Sequence, residues 1–306
     1  MAAGTSGSFF LSDSLEVYSR VWEPGDSPIK SHIAFLHGFG DRCDHYDAFF
    51  SLLGKTVRTR ARMGDTGKTL QVIAEIYKAL SYIASTIPNI RQTLLFLMGY
   101  SMGGQESAFY LLNPDLDGYW PLVTGWIMEA LYIGLDLASY PNLARVFPKP
   151  KFTQPLSGKF VTRDCNIRER YCSDLLCYNT STLEALQDVL QRESDLTKLS
   201  VLDQPVPSGL SACLPCPVFW AHGSADMITS YAISKRLYKR LEPHNEADTD
   251  AKTWKLFEGM FHQLHSKPDG VAEEFLRDVG EWVAKITARS LAIRQDTEKT
   301  PLIVAF

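Results

Sequence analysis

Residues 94–104 read LLFLMGYSMGG, a short apolar run followed by a Gly-x-Ser-x-Gly turn and then by residues that can start a helix. This layout is typical of a nucleophile elbow, in which a serine on a strained strand-to-helix turn holds its hydroxyl clear of a sheet. Glycines are expected at Gly99 and Gly103 because a Cβ at either position would crowd the neighbouring elements. The segment therefore predicts a buried strand, a helix and a nucleophilic Ser101.

Strands and helices alternate along most of the chain. Apolar runs predict strands at 15–22, 32–36, 94–100, 122–133, 218–221 and 253–257. The 3.6-residue period predicts helices at 44–53, 66–88, 102–112 and 271–287. We therefore expect a single α/β domain over residues 1–306, with a mostly parallel sheet covered by helices on both faces.

Residues 134–212 have a helical pattern with many prolines and no convincing strand. This insertion precedes the strand at 218–221 and would lie over the carboxyl edge of the sheet, where open α/β sheets bind ligands. We interpret it as a helical lid. Residues 290–306 lack a clear period, and we expect a loosely attached tail.

A serine hydroxyl becomes a good nucleophile when a base takes its proton and an acid orients that base. In an elbow architecture the acid and then the histidine follow the serine along the chain. We choose Asp226 as the acid because it comes just after the buried strand at 218–221. We choose His262 as the base because it follows the strand at 253–257, whereas His244 lies in a polar run and His265 is expected to pack locally.

Two backbone N–H groups are needed to stabilise the oxyanion. One is expected from Met102, the residue after the nucleophile, and the other from Phe39, in the loop after the strand at 32–36. His37 precedes the serine on a tight loop, and we interpret it as a structural residue.

The composition excludes several classes of function. A net charge of −4 and the lack of a basic stripe with interleaved aromatics argue against nucleic-acid binding. We find no signal peptide and no apolar stretch of membrane-spanning length, and we interpret the six cysteines as reduced thiols of a cytoplasmic protein. Cys213 and Cys216 have the spacing of half a zinc site, but the sequence has no second pair of cysteines or histidines at such a spacing. We therefore expect no metal.

Taken together, four motifs resemble the monoacylglycerol lipase and lysophospholipase branch of the α/β-hydrolases, a group also called the serine aminopeptidase family. The motifs are HGFGD at 37–41, GYSMGG at 99–104, HGSAD at 222–226 and EGMFHQLH at 258–265, and the likeness runs from about residue 15 to residue 288. It includes the lid segment YCSDLLC at 171–177.

The resemblance implies an α/β-hydrolase fold and hydrolysis of a carboxylic ester of a single-chain glycerolipid through an acyl-enzyme on Ser101, with no cofactor. The apolar segment Leu131–Leu137 would let the lid touch a membrane or lipid-droplet surface transiently, or would pack down on the sheet. An aminopeptidase or amidase of the same fold is the enzymatic alternative, and it would need an acidic group in the lid to hold a substrate ammonium.

The sequence departs from the family near residue 56. The family has a central strand and a loop there, and roughly fifteen residues, a strand of ordinary length with its loop, are missing. Central parallel strands are near-continuous apolar runs, whereas 56–61 read TVRTRA, and burying unpaired arginines is costly. We therefore expect no strand at this place. That gap would favour a catalytically impaired, scaffold-like hydrolase as a further alternative.

Overall fold

The computed structural model describes residues 4–12, 15–23, 29–53, 56–60, 67–86, 93–116, 123–134, 151–153, 158–174, 177, 180–243, 245, 248–266 and 270–299. The strands are β1 (Thr5–Ser12), β2 (Leu15–Val21), β3 (Ser31–Leu36), β4 (Thr56–Arg60), β5 (Leu94–Tyr100), β6 (Gly125–Glu129), β7 (Lys151–Thr153), β8 (Thr180–Thr182), β9 (Cys213–Leu214), β10 (Val218–Gly223), β11 (Glu242–Pro243) and β12 (Lys252–Phe257). The α-helices are α1 (Asp47–Leu53), α2 (Thr69–Thr86), α3 (Met102–Leu111), α4 (Gly158–Val161), α5 (Cys165–Ser173), α6 (Leu183–Leu199), α7 (Tyr231–Arg240) and α8 (Val271–Lys299). Short 3₁₀ helices lie at Cys43–Tyr46 and Pro114–Leu116.

The central sheet has six strands in the order β12-β10-β6-β5-β3-β4, and every neighbouring pair is parallel. Because the strands run the same way, the loops that follow β3, β5, β6, β10 and β12 meet at one edge. This arrangement confirms the predicted mostly parallel sheet. An antiparallel β1–β2 hairpin lies beside it, with β2 against β4.

Two apolar cores lie on opposite faces of the sheet. Successive side chains of a strand point to opposite faces, so in β5 Leu95 and Leu97 join one core while Phe96 and Met98 join the other. Helices α2, α3, α6 and α7 cover the first face. Helices α1 and α8 cover the second. The loops at the carboxyl edge are therefore supported from both sides.

The expectation that no strand exists near residue 56 is wrong. β4 pairs in parallel with β3, with Thr56 opposite His32 and Arg60 opposite Leu36. The ladder uses main-chain groups that an arginine offers as well as a valine does, and β4 is the last of the six hydrogen-bonded strands. The following loop, 61–66, lies outside the described residues. The scaffold-like alternative thus loses the absent strand as its support, whereas the absence of roughly fifteen residues relative to the family stays a prediction.

Within the predicted lid the structure describes three helices, α4, α5 and α6, and also strands β7 and β8, which pair antiparallel. The expectation of no strand there is wrong, because three-residue strands are too short to produce a periodic signal. The closing helix α8 runs to Lys299 instead of ending near Thr287. Whether the tail is loosely attached stays a prediction, since residues 300–306 lie outside the described residues.

No described helix combines the length and apolar character needed to cross a membrane. Of the apolar segment Leu131–Leu137, Leu131 and Ile133 are fully buried in the core, as the alternative of packing on the sheet requires. Residues 135–137 lie outside the described residues.

Candidate active site

Ser101 occupies the turn between β5 and α3 in a strained backbone conformation. Its φ of 53° and ψ of −116° lie in a region that L residues rarely adopt, and such strain is common at functional sites. The Ser101 N–H donates to the carbonyl of Glu129 at the end of β6 (3.0 Å), and its side chain is almost completely buried. The tight turn is therefore fixed to the neighbouring strand.

The two glycines of the motif are required by close packing. A Cβ at Gly99 would come within 2.6 Å of the Gly103 carbonyl oxygen, and a Cβ at Gly103 would come within 2.2 Å of the Leu36 carbonyl oxygen. Both contacts are with backbone, which cannot move aside cheaply. The crowding inferred from the sequence is confirmed.

The structure brings the three predicted side chains together from three loops. His262 Nε2 lies 2.8 Å from Ser101 Oγ, and His262 Nδ1 lies 2.8 Å from Asp226 Oδ2. All three are buried, with 5% of Ser101, 2% of the His262 side chain and none of the Asp226 side chain exposed. A hydroxyl so placed can pass its proton to the imidazole while the carboxylate stabilises the resulting charge.

Asp226 is held in its ionised form and in one orientation. Burial raises its pKa, but the proximity of His262 and the hydrogen bonds from His222 and His262 outweigh burial and keep the pKa well below its usual range. Its Oδ1 accepts from the N–H groups of Ile228 (2.8 Å) and Thr229 (3.0 Å), and its Oδ2 accepts from Thr229 Oγ1 (2.8 Å). The carboxylate can therefore fix the orientation of the His262 ring.

The predicted oxyanion donors lie beside the serine. Met102 is the first residue of α3, where main-chain N–H groups have no partner within the helix. Phe39 and Gly38 line the small space in front of Ser101 together with Tyr100. The two residues thus lie beside Ser101 on the loops from which they were predicted, and the role of their N–H groups as oxyanion donors stays a prediction.

The remaining histidines have other partners. His37 Nδ1 lies 2.9 Å from the Gly38 carbonyl oxygen, in keeping with a structural role. His265, expected to pack locally, is buried against the carboxylate of Glu129 (2.8 Å). His244 lies outside the described residues. Sequence reasoning missed His222, whose Nε2 lies 3.1 Å from Asp226 Oδ2. The signal for it was its position four residues before the acid, inside a buried strand.

The space in front of Ser101 is small, with a volume of about 10 Å³. Val161 of α4 and Tyr171 of α5 close it from above. A larger cavity of about 220 Å³ lies behind Tyr171 and Gln263, between the loop of His265 and helices α1 and α5. We call residues 158–174, which contain α4 and α5, the cap.

The cap is fastened to the loop that carries His262. The Gln263 N–H donates to the Val161 carbonyl (3.1 Å), and the Arg163 guanidinium lies over the Phe261 ring, 4.4 Å from its centroid. These two contacts flank His262 on either side in sequence. A displacement of the cap would therefore have to break contacts next to the base.

A charged cluster joins the cap to the loop after β3. His45 Nδ1 lies 2.8 Å from Asp41 Oδ1, and His45 Nε2 lies 3.0 Å from Asp174 Oδ2. Burial lowers the pKa of His45, but its hydrogen bonds with Asp41 and Cys177 raise the pKa to about 10. His45 is therefore an imidazolium at neutral pH and bridges two carboxylates.

Among the described residues, Asp41, His45 and Cys177 form a group whose ligand-type atoms all lie within 4.8 Å of one another. Both ring nitrogens of His45 already face carboxylates, and Cys177 Sγ lies at nearly equal distances from them (3.9 and 4.0 Å). The group is thus held by hydrogen bonds between its own members. The expectation that the protein uses no metal stays a prediction.

Comparison with known proteins identifies relatives over most of the chain. The family model described as "Serine aminopeptidase, S33" matches residues 27–269. A caffeoylshikimate esterase of Arabidopsis thaliana is 44% identical over 302 residues, which cover 91% of this chain and 85% of the relative. A putative monoglyceride lipase of Schizosaccharomyces pombe is 24% identical over 310 residues, which cover 92% of this chain and 75% of the relative.

A solved structure of a related enzyme shares the fold of this chain. The soluble variant of monoglyceride lipase from Saccharomyces cerevisiae, in complex with a substrate analog, superposes with a TM-score of 0.73 at 20% identity, over 94% of this chain and 97% of that one. At this identity the likeness shows the fold, and it confirms the predicted α/β-hydrolase fold. The chain therefore belongs to the serine aminopeptidase family, as a hydrolase similar to the monoglyceride lipases.

Proposed function

We propose that this hydrolase cleaves carboxylic esters of single-chain glycerolipids through an acyl-enzyme on Ser101. The observation that carries the proposal is the hydrogen-bonded series from Ser101 Oγ through His262 to Asp226, with 2.8 Å at each link. A serine with only a structural role needs no histidine and carboxylate hydrogen-bonded in line with it, whereas a nucleophilic serine needs both to be activated.

The reaction follows from this geometry. Ser101 Oγ attacks the ester carbonyl while His262 Nε2 takes its proton, and the N–H groups of Phe39 and Met102 stabilise the oxyanion. The bond to the alcohol then breaks, and His262 returns the proton to the departing alcohol oxygen. A water next gives its proton to His262 and attacks the acyl carbonyl, which releases the acid and restores the Ser101 hydroxyl.

The names of the relatives support an ester as substrate. Rat monoglyceride lipase is 24% identical over 284 residues, and the Arabidopsis relative is named as an esterase. Within the described lining of the space at Ser101 the acidic side chain other than the triad is Asp41. Its oxygens accept from His45, the Arg42 N–H and Tyr46 Oη, so it is not free to hold a substrate ammonium. Asp41 lies outside the lid, so the aminopeptidase alternative, which needs an acidic group in the lid, stays open.

A fluorophosphonate probe tests the nucleophile. We expect covalent labelling of the wild type and none of Ser101→Ala, because the probe reacts with activated serines. Ser107→Ala is the matched control: Ser107 is also buried on α3, but its hydroxyl is hydrogen-bonded to the Gly104 carbonyl and to Trp126. Labelling that persists in Ser101→Ala would overturn the proposal.

A substrate panel tests the specificity. Hydrolysis rates of monoacylglycerols, lysophospholipids, a caffeoyl ester and aminoacyl amides would be compared with the same preparation. We expect the highest kcat/KM on a monoacylglycerol. A clear preference for the caffeoyl ester would keep the ester chemistry but replace the glycerolipid, and a preference for amides would contradict both.

A further inference from the structure

Glu129 places a carboxylate where the sequence otherwise has an apolar strand. It is the last residue of β6 and is fully buried. Burying a carboxylate is costly unless it is paired and hydrogen-bonded, so its partners show what holds it there. Those partners lie in the loop of the proposed base.

The carboxylate of Glu129 binds Leu264 and His265, the second and third residues after His262. Its Oε1 accepts from the main-chain N–H of Leu264 (2.7 Å) and of His265 (3.1 Å). The Nδ1 of His265 lies 2.8 Å from Oε1 and 2.9 Å from Oε2. Three N–H groups thus point at one carboxylate, and they fix the chain immediately downstream of the base.

The main chain of the same residue holds the nucleophile. The Glu129 carbonyl accepts the N–H of Ser101 (3.0 Å). Three residues further along the chain, the Tyr132 N–H donates to the Ser101 carbonyl (3.1 Å). Ala130 has a φ of 46°, and it is with Ser101 one of the two non-glycine residues of positive φ in the described part of the chain. Strain thus occurs on both sides of the same hydrogen bond.

We propose that Glu129 is a positioning residue that sets the distance between the nucleophile and the base. Its carbonyl holds Ser101 and its carboxylate holds the loop of His262, so one rigid residue at a strand end fixes both. This inference rests on the proposed function. It assigns Glu129 no contact with substrate and no proton transfer.

The effect should be on the rate of the chemical step. A misplacement of reacting groups by about 1 Å can cost on the order of 100-fold in rate. Glu129→Gln keeps a carbonyl for the main-chain N–H groups and loses the charge facing His265, whereas Glu129→Ala loses every side-chain contact. We expect kcat per probe-reactive site to fall roughly 10-fold in Glu129→Gln and roughly 100-fold in Glu129→Ala, with KM unchanged within about twofold.

Glu193 offers a matched control. Its buried carboxylate also accepts a main-chain N–H, that of Gly134 (2.8 Å), and a hydroxyl, that of Thr197 (2.8 Å), and neither of these hydrogen bonds reaches Ser101 or the loop of His262. Glu193→Gln and Glu193→Ala should lower the melting temperature and leave kcat per reactive site unchanged. An equal fall of kcat in the Glu193 variants would make the effect one of general stability and overturn the proposal.

Hydrogen exchange tests, without relying on activity, whether Glu129 connects the loop of Ser101 to the loop of His262. We expect faster exchange of the amides in 262–266 and 99–102 in Glu129→Gln, and unchanged exchange there in Glu193→Gln. If the wild type neither labels nor hydrolyses esters, the proposed function fails, while the exchange result still decides whether Glu129 joins the two loops. Unchanged exchange in Glu129→Gln would overturn the positioning role, and so would an unchanged kcat in both Glu129 variants when they fold. The role would also be overturned if both Glu129 variants failed to fold while the Glu193 variants folded.

Discussion

The triad and the contact between cap and body meet at Ser101, but different forces hold them. The triad side chains are at most 5% exposed and are backed by main-chain hydrogen bonds from strand ends. The cap contact includes one main-chain hydrogen bond, from Gln263 N–H to the Val161 carbonyl, but it also depends on charged side chains that are partly exposed: 14% of His45, 21% of Asp174 and 26% of Arg42. Main-chain bonds do not titrate, whereas partly exposed charges respond to pH and salt. The hydrogen bonds that hold the triad should therefore respond less to pH and salt than the charged part of the cap contact does.

The largest effect should follow from changing the acid. In Asp226→Asn the amide can no longer stabilise the imidazolium and would favour the wrong His262 tautomer, and kcat should fall by about 10⁴-fold with the fold intact. Steady-state kinetics on an ester would measure it. Asp164→Asn is the control: its carboxylate accepts the N–H groups of Asn166 and Ile167 much as Asp226 accepts those of Ile228 and Thr229, but its described hydrogen bonds include none to a histidine. A loss of kcat below about 10-fold in Asp226→Asn would contradict its assigned role.

The close packing around the nucleophile can be tested by a substitution in the turn between β5 and α3. Gly103→Ala forces a Cβ to within 2.2 Å of the Leu36 carbonyl oxygen, and we expect a loss of stability on the order of 3 kcal/mol or more. Thermal or urea unfolding would measure it. Gly280→Ala is the control, because there the new Cβ meets only Leu53 Cδ1 at 3.8 Å in the interior of α8, and alanine should stabilise the helix by roughly 0.5–1 kcal/mol. Similar melting temperatures for the two variants would refute the close-packing argument.

A smaller, pH-dependent effect should mark the cap contact. The pKa of His45 is raised from 6.5 to about 10, so its contribution to stability is complete below pH 6.5, declines as the pH rises and is lost near pH 10. The groups that face it are Asp41, Asp174 and Cys177. The melting temperature of the wild type should fall across this window by a few degrees more than that of His45→Gln. Parallel pH profiles for the two proteins would show that His45 does not stabilise the contact.

The sequence predicted what is local or periodic. Ser101 lies in a motif whose glycines have a steric cause, and Asp226 and His262 follow apolar strands, so their common edge could be inferred from the parallel topology. β4 was missed because a strand is judged by its side chains, while its pairing with β3 depends on the main chain. Asp174, the second carboxylate on His45, and His265, the partner of Glu129, each lie more than a hundred residues away from it, and no pattern along the chain could reveal these two contacts.

The space of about 10 Å³ in front of Ser101 has room for roughly one water molecule. A bulky ester needs more room than this, and Val161 and Tyr171, which line the space, belong to the cap rather than to the loops of the triad. For an ester that fits only when the cap moves aside, the apparent affinity is the intrinsic affinity multiplied by the fraction of molecules whose cap is open. A rarer open form weakens the apparent affinity in proportion, although no contact between the ester and the site has changed.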